Sequence, residues 1–195
     1  MEELYQNIKR IFNKPNLPIE KSNAKVVYLY DNDRTFISES KKSNALEIKN
    51  ANGEEIHHIC VDGVLIPLGR PYPDGTKHGR NDCLVFTKDK LYFVELKMNM
   101  SSKNKDEFTK KTEEAIEQIV DFQRYISDKF DGNLMNNFTD RKYTAFIGIP
   151  RAKAVNFRSH LDTCQENLRK QFKNIPELKI GYELTIKKVE QQSKK

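Results

Sequence analysis

Apolar residues recur at helical spacing at Leu4, Ile8, Ile11 and Phe12 until Pro15 and Pro18 break the pattern, which predicts a short amphipathic helix and a turn. Val26 to Tyr30 then reads as a strand, and Asp31-Asn32-Asp33-Arg34 as polar punctuation. Weaker strand signals follow at Thr35-Phe36-Ile37 and Ala45-Leu46-Glu47-Ile48, with a turn at Asn50-Ala51-Asn52-Gly53. Ile56 to Ile66 resumes β character, interrupted at Asp62-Gly63, and a loop rich in glycine and proline runs from Gly69 to Asn81. The clearest strands are Cys83 to Phe86 and Leu91 to Leu96, joined by the polar turn Thr87-Lys88-Asp89-Lys90.

A long helix is predicted from about Asp106 to Phe130, with Phe108, Ala115, Ile116, Ile119, Phe122 and Ile126 on one side and Asp131-Gly132-Asn133 as its stop. Tyr143 to Ile149 reads as a buried strand, Val155 to Phe172 as a second helix and Lys179 to Ile186 as a last strand. The predicted fold class is mixed α/β: one central sheet flanked by helices, a single domain over 1–190 and a flexible tail over 191–195.

The chemistry concentrates on the two clearest strands. With a loop of two residues, Lys88-Asp89, or of four, Thr87 to Lys90, the hairpin register sets Asp82 opposite Glu95. Directly opposed residues have Cβ atoms roughly 4.5–5.5 Å apart, and like charges there are destabilising unless something neutralises them. Leu91, Phe93, Glu95 and Lys97 share one face of their strand and Tyr92, Val94 and Leu96 the other, so both faces are largely apolar, as in an interior strand. Two carboxylates and an ammonium at the end of such a strand call for a metal ion or a substrate phosphate. The plainer alternative is that all three emerge, hydrated, at the sheet edge.

With 195 residues the chain can bury a core without disulfides. Its net charge of +6 favours a polyanionic partner. Three scattered cysteines, Cys60, Cys83 and Cys164, fit a reducing cytoplasm, and neither an apolar leader nor a membrane-length apolar run is present. Basic side chains at Lys77, His78, Arg80, Lys103 and Lys105, with Arg70, Lys110 and Lys111, are candidates for contacts to nucleic-acid phosphates. His57, His58 and Cys60 lack a fourth ligand at zinc spacing, so core packing for Cys60 and exposure of at least one histidine are expected. A second triplet, Glu47-Ile48-Lys49, lacks an acid opening a partner strand.

At Asn81-Asp82, an interval of twelve residues and Glu95-Leu96-Lys97, the chain resembles the PD-(D/E)XK nuclease superfamily, over roughly Ile56 to Tyr125. Asn81 stands where the motif's proline would be. The resemblance implies a restriction-endonuclease-like fold and Mg²⁺- or Mn²⁺-dependent hydrolysis of DNA, with RNA still open. Asp82, Glu95 and the Leu96 carbonyl would ligate the metal, and Lys97 would position the attacking water and neutralise the phosphate. Many members carry an acid on the first helix, for which Glu2, Glu3 and Glu20 are unassigned candidates, and a glutamine on the later helix, for which Gln118 or Gln123 would serve. The small size implies a homodimer or a partner subunit, and a subunit that binds nucleic acid without cutting it is the alternative.

Overall fold

The structure, a computed structural model, describes residues 2–41, 44–77, 79–101, 104–129, 143–172 and 177–186. Its elements in chain order are α1 (Glu2–Ile11), β1 (Glu20–Ser22), β2 (Val26–Asp31), β3 (Thr35–Ser38), β4 (Leu46–Asn50), β5 (Ile56–Cys60), β6 (Cys83–Phe86) and β7 (Leu91–Leu96). There follow α2 (Lys105–Lys129), β8 (Tyr143–Gly148), α3 (Arg151–Asn156), α4 (Arg158–Gln171), β9 (Glu177–Gly181) and β10 (Glu183–Ile186).

The chain is mixed α/β with two mixed sheets rather than the one expected. The larger sheet runs β1-β5-β6-β7-β8-β9 and the smaller β10-β4-β2-β3. In the larger sheet the pairs up to β6–β7 are antiparallel, and β7–β8 and β8–β9 are parallel. Tyr92, Val94 and Leu96 of β7 point into a core shared with Val27, Leu29, Leu46 and Ile48 of the smaller sheet. Leu91 and Phe93 point the other way, into a second core with α1 and α2. β7 is therefore an interior strand with all six residues buried, and each large apolar side chain so buried contributes roughly 1.5–3 kcal/mol.

Helix α2 supplies the outer layer. The Asn104 side chain accepts the Glu107 amide N–H at 2.8 Å, capping the helix. Phe108, Ala115, Ile116, Ile119, Phe122 and Ile126 are buried as their spacing predicts. The expected stop at 131–133 and the tail at 191–195 lie outside the described residues.

Three expectations are corrected, and one strand, β1, comes in addition to those expected. The last strand is two: β9 pairs with β8 and β10 with β4, so the chain changes sheet at Tyr182. The second helix begins at Arg151 and is broken at Phe157 into α3 and α4. The short polar strand β1, which carries no apolar alternation, pairs with β5. Finally, His57 and His58 are both buried, because β5 is covered on both faces: His57 meets Tyr5 and Glu55, and His58 meets Thr35 and Glu20. Cys60, Cys83 and Cys164 are free and buried. Among the described residues no helix is long and apolar enough to cross a membrane.

Candidate functional site

The hairpin register is the one that alternation and the even-length turn predict. Phe86 pairs with Leu91 and Cys83 with Val94, so one step outward sets Asp82 across from Glu95. The Thr87 amide donates to the Lys90 carbonyl at 2.9 Å, which leaves Lys88 and Asp89 as the tip. Each acid is held by the other's strand: the Asp82 amide donates to Glu95 Oε2 at 3.1 Å, and the Leu96 amide donates to Asp82 Oδ2. Asn81 is fully buried and donates its side-chain amide to the carbonyls of Cys83 and Val94, tying down the start of β6.

Lys97 completes the group. Its Nζ lies 2.7 Å from Glu95 Oε1 and 3.1 Å from Gln118 Oε1, so the ammonium bridges the end of β7 and the middle of α2. Glu95 is only 2 % exposed, whereas the Lys97 side chain keeps 25 % of its surface, so the lysine is the accessible member of the pair. Gln118 also donates to the Arg80 carbonyl at 3.3 Å, which joins helix, strand and the preceding loop. Of the two candidate glutamines, Gln118 reaches the site, and Gln123 instead faces Ser127 on its own helix.

Electrostatics set these acids apart from surface carboxylates. Burial raises Glu95 to about 8, with Asp82 pushing the same way and Lys97 opposing. Burial likewise raises Asp82 to about 7 against its bond from Leu96, with Asp31 and Asp62 adding repulsion. Asp31, at the end of β2, is raised by burial and by Asp62 while Lys97 opposes. The field at Lys97 is thus built by acids from both sheets, two of which the sequence reading left out. A signal existed for Asp31, which closes an apolar strand as Asp82 opens one; Asp62 lies in a turn after β5 and carries no such pattern.

Of the basic candidates, Arg80 is already engaged. Its Nε lies 2.8 Å from Asp62 Oδ1, and its guanidinium donates to the Pro67 and Arg70 carbonyls, so it pins the loop rather than offering a bare cation. Lys77 is exposed in the same loop, and Lys105 is exposed at the first residue of α2. Among the described residues no hydrogen bond or ion pair ties either of them to the acids. His78 and Lys103 lie outside the described residues, as do the side chains of Glu2 and Glu3. Glu20 is turned away, bound to His58 and to the Ile37 amide.

Gly79 shows how closely the loop seats on the helix. Its amide donates to Asp121 Oδ2 at 3.0 Å, and a Cβ built there would stand 3.0 Å from the Gln118 Cα. Gly79→Ala is expected to lift the loop from α2 and cost about 1–3 kcal/mol, read as a lower urea midpoint. A midpoint equal to that of the parent chain would show that the contact gives way freely.

Among the described residues no three His, Cys, Asp or Glu side chains group closely enough to hold a metal ion on their own. What the site offers is two opposed carboxylates, Asp82 and Glu95, each accepting a backbone amide from the other's strand. That donor set suits a hard cation, since Mg²⁺ is commonly held by one or two carboxylates, waters and substrate phosphate oxygens. The raised acids fit the same picture: a cation would displace the protons that burial keeps on them. In comparisons with known proteins, no family model, no curated protein and no solved structure matches the chain.

Proposed function

We propose that the chain is a metal-dependent endonuclease of PD-(D/E)XK type that hydrolyses phosphodiester bonds of DNA. The observation that carries this reading is the meeting of Asp82, Glu95 and Lys97 at the end of one hairpin, with Lys97 anchored to Gln118. An antiparallel β6–β7 hairpin followed by α2 and the parallel strand β8 supports a restriction-endonuclease-like arrangement. Asp82, Glu95 and the Leu96 carbonyl would hold Mg²⁺ or Mn²⁺. When bound, the ion supplies charge to the phosphate and acidifies a water. Lys97 contributes a cation that is partly exposed and fixed by two acceptors, so it can orient a water and offset charge on the phosphate without ordering first.

The free, buried thiols support a cytoplasmic location. One such site cuts one strand, so the reading includes a homodimer or a partner subunit. The direct test incubates the protein with supercoiled plasmid and with branched DNA in Mg²⁺ or Mn²⁺. Nicking or cleavage that EDTA abolishes is the expected result. Salt-dependent DNA binding without any cleavage of DNA or RNA would instead select a binding or assembly subunit.

A further inference from the structure

β7, β8 and β9 are parallel neighbours, and their last paired row is Leu96, Gly148 and Gly181. In sheets with parallel strands, ligands gather beyond the carboxyl ends of those strands. Here the residues just past that row build two things. Lys97 belongs to the site described above, and its amide donates to the Gly148 carbonyl at 2.7 Å. Met98, Pro150, Arg151 and Tyr182 line a cleft of about 530 Å³, closed on its other side by Tyr28, Glu47 and Lys49 of the smaller sheet and by Lys41 between β3 and β4. Lys97 and Met98 leave the end of β7 on opposite sides of the larger sheet, Lys97 toward Gln118 of α2 and Met98 into the core shared with the smaller sheet and into this cleft.

The lining is specific in kind. Lys41 Nζ lies over the Tyr28 ring, 5.8 Å from its centroid, and the Arg151 guanidinium lies over the Tyr182 ring at 5.5 Å. Lys49 lies 2.6 Å from Glu183 and 4.0 Å from Glu47, and Lys41 lies 3.8 Å from Glu47, so three cations, Lys41, Lys49 and Arg151, stand against two carboxylates that are both paired. Tyrosine rings backed by cations suit a π-face joined to a phosphate: bases stack on aromatic and guanidinium planes, and the cations track the backbone. The volume falls within the range of roughly 300–1,000 Å³ typical of small-ligand sites, enough for an unstacked nucleotide but not for a duplex.

We propose that this cleft binds an unpaired nucleotide of the substrate strand, stacked against Tyr28 and Tyr182 with Lys41 and Arg151 on its phosphates, across the carboxyl ends of the strands from the phosphate presented to Lys97. The proposal rests on the nuclease reading for its substrate, and it assigns the chain to DNA with a single-stranded flank, end or branch.

The test measures fluorescence anisotropy of a labelled ~20-nucleotide oligothymidine and of a blunt duplex, in EDTA so that no cleavage intervenes. Tyr28→Ala and Tyr182→Ala are each expected to weaken single-strand binding by roughly five- to hundredfold and to leave duplex binding nearly unchanged. Tyr28→Phe and Tyr182→Phe, which keep the ring and the fold, should bind like the parent chain. Arg151→Ala should lower the salt dependence of single-strand binding by about one phosphate contact. Alanine variants that bind single strands normally, an equal loss on duplex and single strand, or phenylalanine variants as weak as alanine would each overturn the proposal. Binding through the cleft by a chain that never cleaves DNA would remove the nuclease reading and keep the cleft. Cleavage with unaltered cleft variants would do the reverse.

Discussion

Glu95→Gln is expected to lower Mg²⁺-dependent plasmid cleavage by about 10³-fold or more while changing stability at pH 7 by no more than about 1 kcal/mol. The two effects separate because the site asks for a charge that the fold does not need. Glu95 is buried, and burial together with Asp82 holds its carboxyl up to about 8, so in the metal-free protein at neutral pH the folded chain favours the protonated acid. A glutamine is nearly isosteric with that form. It can accept the bond from the Asp82 amide or the one from Lys97, though not both, which limits any gain in stability. What it cannot supply is an anionic oxygen beside Asp82, and without one the donor set for a hard cation drops to a single carboxylate. Lys97→Ala should lose activity comparably for another reason: Glu95 keeps its burial, loses its ammonium and is pushed further toward the neutral form. Initial rates over a Mg²⁺ titration, with circular dichroism melts as the folding control, measure both variants. Cleavage at the parent rate in either one would remove Glu95 and Lys97 from the chemistry.

The parts of this arrangement that the sequence discloses are the local ones. The β6–β7 hairpin forms between neighbouring segments, its turn is short, and strict alternation from Leu91 to Lys97 fixes which side chains share a face, so the meeting of Asp82 with Glu95 can be read from spacing. Helix α2 is legible for the same kind of reason: its apolar stripe recurs over many turns. What escapes is set by distant partners. Nothing within Glu177 to Ile186 says that Glu177–Gly181 joins one sheet and Glu183–Ile186 the other; the change of sheet is decided by β8 and β4, far away in the chain. The buried His57 and His58 look polar until Tyr5, Glu20, Thr35 and Glu55 arrive to satisfy them. Asp31 reaches the site only because β2 lies in a second sheet packed beneath the first, a relation that periodicity within β2 does not encode. The Tyr28 and Tyr182 cleft is hidden in the same way, since its two rings come from segments more than a hundred residues apart.

The same burial that shapes the site makes the metal-free protein sensitive to pH, and the expected sign is the reverse of ordinary acid denaturation. Carboxyls with ordinary values of 3.8 and 4.5 are raised in the folded chain to about 7 at Asp82 and about 8 at Glu95. Between those limits the folded state holds protons that the unfolded chain has released. Stability is therefore fullest below the ordinary values and falls as pH rises through the raised ones. Three other groups bound the useful window. His57 is lowered from 6.5 by burial and acts in the opposite direction below that value, and the buried thiols Cys60 and Cys83, raised from 9.0, add their own loss above it. From pH 6.5 to 8.5 the acid pair dominates, with a decline on the order of 2 kcal/mol, or a fall in Tm of roughly 5 °C for a chain of this size. Calorimetry in EDTA at half-unit steps of pH should show that fall, and Glu95→Gln should flatten most of it. Mg²⁺ should restore stability at pH 8.5 more than at pH 6.5, because a cation binds the two carboxylates only after their protons leave. A Tm that is level or rising across the window would mean that Asp82 and Glu95 are ionised and solvated in the folded chain, as two hydrated acids at a sheet edge would be.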